Sequence, residues 1–385
     1  MAMRLPGLPA ALIAGRRHLG GLAGLPTAFD SGRFCPPHYG YGAKRLAKCE
    51  TDEADTLLIG GGVYGNPEAL DAIERRFQQE RVLAGSTGQV RVVLNGDFNF
   101  LNATPQAWEA VNRRVYAAAP DGWSATLGNV EFEAARLGGL EFASGCGCAY
   151  PDWVADDVVR RSNEIVQRLR QSAFDAPTWT CDWLKTLPMY AACRVGTARV
   201  SIVHGDPLAL AGWSLSAELL NEVRVAEWLG QADADLFASS HTCIAHAREI
   251  PREDPRGPGA VFNNGAAGMP NFAHVRWGVL TRVSADWKRV PADSLYGIVL
   301  GAHGVRVDAI PVRYDVDGWQ RTFDSWWTEG SAARVSYSGR IAHGLRGWTV
   351  EDAYPAQGIQ RATRARSVAA SCGPGGGICG SEALA

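Results

Sequence analysis

Val90-Arg91-Val92-Val93-Leu94-Asn95-Gly96-Asp97 decides how the rest of the chain is read. A β-branched apolar run of strand length stops at a turn-forming Asn-Gly pair, and an acidic residue follows at once. Three other apolar runs also end at a residue of metal-ligand type. Gly128-Asn129-Val130-Glu131 follows Trp123–Leu127, His204-Gly205-Asp206 follows Ala198–Val203, and Ser239-Ser240-His241-Thr242-Cys243 follows the apolar stretch at Ala234–Ala238. Asp97, Asn129, His204 and His241 are thus four residues of metal-ligand type at strand ends, a set that can close around one divalent cation.

Working outward, each strand is followed by a helical pattern. Residues 56–61 read as a buried strand and 67–80 as an amphipathic helix, with Asn66 suited to cap it and Pro67 to its first turn. Helices are also expected at 105–118 and 130–137. Alternating strands and helices imply an α/β core whose sites lie at strand carboxyl ends. The rhythm breaks at 140–190, where Gly145-Cys146-Gly147-Cys148-Ala149-Tyr150 is a turn-rich loop and 152–172 a polar helix. This segment is either an inserted cap or an extended helical element. Strands resume at 260–262 and 275–283, then a hairpin of 295–300 and 305–314 turns at Ala302-His303-Gly304, and a helix carries Trp326-Trp327. The expected organisation is an N-terminal extension, partly disordered, at 1–50, a domain at 51–355 carrying the 140–190 insertion, and a flexible Gly-rich tail at 356–385 with Cys372 and Cys379.

Of 385 residues, 46% are hydrophobic and 20% charged, which supplies an ordinary globular core. A net charge of −2 gives no electrostatic case for nucleic acid or an anionic membrane as partner. The apolar runs fall short of the roughly 20 residues that span a bilayer. Pro6 and Pro9 interrupt the N-terminal apolar stretch and Arg16-Arg17 follow it, so it does not read as a secretory signal. A cytoplasmic location is therefore expected, with the nine cysteines as free thiols and not a disulfide framework.

Taken together in order, these segments resemble the calcineurin-like metallophosphoesterases. Gly62-Val63-Tyr64-Gly65-Asn66 stands where that family has Asp-x-His-Gly-Asn, and Gly96-Asp97 matches its Gly-Asp. Gly128-Asn129-Val130-Glu131 matches Gly-Asn-His-Glu, His204-Gly205 matches His-Gly, Ser240-His241-Thr242-Cys243 matches Gly-His-Thr-His, and Asn263–Gly268 matches Asn-Pro-Gly-Ser-x-Gly. The resemblance covers about 55–285 and implies two packed mixed β-sheets flanked by helices, a four-layer αββα arrangement. It also implies a two-metal centre, against which the departures sort cleanly. The first ion would meet Gly62, Tyr64 and Cys243, leaving only Asp97 as an unaltered ligand. The second ion would keep Asp97, Asn129, His204 and His241. The family's general-acid His is Val130.

A single ion still acts as a Lewis acid and lowers the pKa of bound water, but cannot clamp both oxygens of a displacement. The donor set suits Zn, Mn or Fe, and Cys243 either adds a soft thiolate or is a buried thiol filling space. Tyr64 and Glu131 are the candidate catalytic helpers, and Tyr64 is equally read as a plug in a vacated metal pocket. The function implied is a divergent hydrolase of a small phosphorylated or nucleotide-like metabolite using one metal ion. The alternative is a non-hydrolytic pseudoenzyme or binding scaffold, with thiol or metalloid chemistry through Cys243, Cys372 and Cys379.

Overall fold

The computed structural model describes residues 32–138 and 145–354. The expected tail, with Cys372 and Cys379, and most of the expected N-terminal extension lie outside these residues. In chain order the first half runs α1 (Ala43–Leu46), β1 (Thr51–Ala54), β2 (Thr56–Ile59), α2 (Pro67–Ala84), β3 (Val90–Asn95), α3 (Pro105–Ala117), β4 (Trp123–Thr126) and α4 (Asn129–Ala134). Next come α5 (Asp156–Asp175), α6 (Trp179–Leu184), β5 (Tyr190–Val195), β6 (Ala198–Val203), α7 (Glu222–Gln231), β7 (Leu236–Ser239), β8 (His246–Ile250) and β9 (Gly259–Asn263). The chain closes with β10 (Gly278–Ser284), β11 (Tyr296–Leu300), β12 (Val305–Val312), α8 (Val316–Trp326), α9 (Ala332–His343) and α10 (Val350–Ala353).

The strands form two six-stranded mixed sheets, β1-β5-β6-β7-β9-β8 and β11-β12-β10-β2-β3-β4. Strand periodicity divides the core. Leu57 and Ile59 point between the sheets and meet Val200, Ile202, Leu236 and Phe262 there. Leu58, Val92 and Leu94 point the other way, onto Leu70, Ile73 and Phe77 of α2 and Trp108 and Val111 of α3. On the far side Phe237 and Val261 pack on Val225, Trp228 and Leu229 of α7. The result is helices, sheet, sheet, helices, the architecture that the resemblance implied.

The helix starts follow local chemistry. Asn66 accepts from Ala69 N ahead of Pro67, and Thr104 accepts from Ala107 N ahead of Pro105. The long polar helix falls at Asp156–Asp175, a few residues later than its expected span. Strands β1, β5 and β8 were not expected, because TDEA and HAREI are polar or charged and YAACRV does not alternate. They earn strand geometry from their sheet neighbours.

The topology places the site. β2, β3 and β4 run parallel in one sheet, and β6, β7 and β9 run parallel in the other. The carboxyl ends of β3, β4, β6 and β7 carry Asp97, Asn129, His204 and His241, so two residues come from each sheet.

Candidate metal centre

His204 Nδ1 donates to the Asn95 carbonyl (2.9 Å), which turns Nε2 and its lone pair inward. His241 Nε2 donates to the Cys148 carbonyl (2.9 Å), leaving Nδ1 inward. Asn129 Nδ2 donates to the Cys146 carbonyl (2.9 Å), so Oδ1 faces His204 Nε2 at 3.1 Å. His241 Nδ1 lies 3.3 Å from His204 Nε2, and Asp97 Oδ1 lies 3.3 Å from the same atom. Four lone pairs on four buried residues thus converge. Such a set is stable only around a cation or a shared proton, and Asp97, His204 and His241 each offer an atom within 4.8 Å of the others.

The charges agree with the geometry. Burial and the neighbouring His204 push His241 down to about 4, against the pull of Asp97, so its ring is neutral and its lone pair is free. Burial also works against a proton on His204, but the Asp97 charge and hydrogen bond outweigh it and raise His204 overall. Asp97 is held below the usual carboxylate range, because His204 and His241 overcome the cost of burying its charge. A proton and an ion would therefore compete for His204 Nε2. A divalent ion held by Asp97, Asn129, His204 and His241 would supply Lewis acidity and a more acidic water.

The frame around the ligands is rigid. Asp97 adopts a left-handed backbone (φ +54°), as do Tyr64 (φ +59°) and Cys243 (φ +58°). Glu131 is fully buried. Its two oxygens accept backbone N–H groups from Asp97 (2.7 Å), Gly128 (3.0 Å) and Asn99 (2.8 Å). Burial and the Asp97 charge push its carboxyl up to about 7 against those three bonds. Glu131 therefore holds the Asp97 loop to the start of α4. Asn95 joins the two sheets: Nδ2 donates to Val203 O (2.8 Å), while its carbonyl receives His204 and Ser240 Oγ (2.9 Å). Neither Asn95 nor Ser240 stood out in the sequence, though both sit inside the ligand segments.

The residues that the resemblance set at a first ion meet one another. Tyr64 OH is hydrogen-bonded to Cys243 Sγ, and both side chains are buried. The Tyr64 ring packs against Phe100 and Tyr337. Val130 is buried in the core. Next to Tyr64, Gly61 N donates to Asn264 Oδ1 and Gly62 N to the Gly96 carbonyl. Before the domain, Tyr39 OH donates to Glu133 Oε1 (2.8 Å) and His38 stacks on Phe132, whereas Cys35 is exposed.

The segment 145–150 closes the centre from above. Its Cys146 and Cys148 carbonyls take Asn129 and His241, and Trp213 Nε1 also donates to Cys148 O (2.9 Å). Beneath it remains a cavity of about 10 Å³, lined by Asp97, Asn129, Val130, Cys146, Cys148 and His241, among others. That is room for one ion or one water and not for a phosphate ester. Here the expectation of free thiols is corrected for two of the nine cysteines: Cys146 and Cys148 are disulfide-bonded, with Cα atoms 5.3 Å apart, while Cys35, Cys49, Cys181, Cys193 and Cys243 are free. Gly145 and Gly147 turn with positive φ, and Asn163 of α5 accepts the Cys146 N–H, which folds two cysteines one residue apart toward each other. The spacing alone did not announce this.

No protein-family model matches the sequence, and no curated protein matches it. Solved structures do. A metallophosphoesterase from Sphaerobacter thermophilus is 17% identical, covering 76% of this chain and 100% of its own, with a TM-score of 0.46. A hypothetical protein from Pyrococcus horikoshii is 13% identical, covering 75% and 98%, with a TM-score of 0.49. Vps29 from Chaetomium thermophilum is 15% identical, covering 67% and 96%, with a TM-score of 0.30. Among the described residues no helix is long and apolar enough to cross a membrane.

Proposed function

We propose that this protein binds one divalent transition-metal ion through Asp97, Asn129, His204 and His241, and that in its closed form it does not turn over phosphoesters. The observation that carries the reading is the meeting of four lone pairs beneath a cap that leaves about 10 Å³. The donor set of one carboxylate, one amide and two imidazoles suits Zn, Mn or Fe. Tyr64 and Cys243, which the resemblance sets at the first ion, hydrogen-bond to each other, and Glu131 acts as a positioning residue through the backbone of Asp97. Hydrolysis of a small phosphorylated metabolite would require the 145–150 segment to leave the site.

Metal analysis of the full chain after loading with Zn²⁺, Mn²⁺ or Fe²⁺, paired with an aryl phosphodiester assay, tests this. The expected result is one ion per chain, lost in Asp97→Ala and in His241→Ala, without turnover. Two ions per chain, or turnover that Asp97→Ala abolishes, would overturn it.

A further inference from the structure

The two sulfurs above the centre face different surroundings. Cys148 Sγ lies 3.6 Å from Asn129 Nδ2, the amide whose oxygen is 3.1 Å from His204 Nε2. Cys146 Sγ turns away, toward Gly32, where a methyl group on that glycine would meet it at 3.2 Å. Both residues border the same small cavity as Asp97, Asn129 and His241. Both are buried, so the disulfide forms part of the inner wall of the site. The backbone of Cys148 is already tied to the site, because its carbonyl accepts from His241 and from Trp213.

We infer that Cys148 is a latent ligand of the same ion, released by reduction of the Cys146–Cys148 disulfide, so that metal binding here is linked to thiol redox state. A dithiol reductant breaks the S–S bond by giving two electrons and two protons, and is itself oxidised to a disulfide. Two protein thiols result. The Cys148 thiol then loses its proton to solvent as its sulfur joins Asp97, His204 and His241. A soft thiolate favours Zn and Fe over Mn, which sharpens the choice that the nitrogen and oxygen donors leave open. The Cys148 sulfur lies beside the Asn129 carboxamide, and bringing it to the ion shifts the 146–148 turn together with the bonds its carbonyls make. This inference rests on the proposed single-ion site.

Cobalt(II) is the probe, titrated into the full-length oxidised protein and into protein that has been reduced and freed of reductant without oxygen. Reduced wild type should bind Co²⁺ about 10–100-fold more tightly than oxidised, the scale on which changes around a ligand shell move affinity. It should also show a near-ultraviolet sulfur-to-cobalt charge-transfer band. Cys146→Ser, which cannot close the disulfide, should show the band without reductant. Cys148→Ser should lack it in both states, and if that variant does not fold, the Cys146→Ser arm decides. Equal Co²⁺ binding in both states without the band overturns this inference and leaves the single-ion site standing. A band that persists in Cys148→Ser and vanishes in Cys243→Ser also overturns it, by moving the sulfur to Cys243. Failure of every form to bind Co²⁺ overturns the inference and the proposed site together.

Discussion

Gly96→Ala tests whether the ligand ends of the two sheets are as tightly joined as the geometry requires. Gly96 has φ +74°, and a methyl group there would meet His204 Nδ1 at 2.5 Å, Gly128 Cα at 2.6 Å and Gly128 N at 2.7 Å. None of these neighbours can yield alone. His204 Nδ1 is bonded to the Asn95 carbonyl, and Gly128 opens the helix that presents Asn129. The left-handed backbone costs an L-residue about 1–2 kcal/mol. Forcing a methyl into closed packing costs about 1–3 kcal/mol more. The sum is a loss of about 2–5 kcal/mol, read as a lower urea midpoint. Because the displaced groups are the His204 ring and the residue that precedes Asn129, Co²⁺ affinity should fall about 10–100-fold in the same variant. Gly330→Ala is the matched control. Gly330 has φ +78° but nothing within 4 Å of the added methyl, so it should lose only the backbone share and keep its metal affinity. Equal urea midpoints for the two variants, or unchanged Co²⁺ binding in Gly96→Ala, would refute the account of the site as a closed junction.

Arg282→Met probes the buried charge network behind the helices. Arg282 bonds both oxygens of Glu80 and lies 3.6 Å from Asp308, all three buried. Its loss should cost about 3 kcal/mol by urea unfolding, since Arg76 and Arg289 still reach Glu80, and an unchanged midpoint would contradict this. Burial and Arg248 push His246 down to about 3 from 6.5. The unfolded chain therefore binds a proton that the folded one refuses, so this stability is full above pH 6.5 and is lost as pH falls toward 3. Relative to His246→Gln, the wild type should lose about 1.4 kcal/mol per pH unit across that window, and parallel stability curves would refute it. Raised His204 has the opposite sign: its proton stabilises the ion-free fold below the imidazole range and must leave when metal binds. Metal affinity should therefore climb with pH through and above that range, with proton release on binding measurable by calorimetry in buffers of different ionisation enthalpy.

Much of the centre was readable in the sequence because each ligand sits at the end of an apolar run, and such runs are local features. The stretches ending at Asp97, Asn129, His204 and His241 do become strands β3, β4, β6 and β7. The helix cap at Asn66 was legible in the same way for α2, whereas Thr104 at the start of α3 was not singled out. Polar β1 and β8 were not legible, because their pairing partners set their conformation. The Cys146–Cys148 bond was not either, because it depends on two glycine turns and on Asn163 from a helix that follows.

By itself the sequence determined the alternating strands, the helices between them, and the strand-end positions of the four candidate ligands. All of these follow from residue type and short-range periodicity. Only the tertiary structure decided that Asp97 and Asn129 of one sheet meet His204 and His241 of the other, and which ring nitrogen of each histidine faces inward. It alone set the 145–150 segment and its disulfide over them. The physical reason is distance along the chain. The Asn95 carbonyl that orients His204 is 109 residues away, and the Cys148 carbonyl that orients His241 is 93 away. Contacts of that span exist only once two sheets have packed in one register.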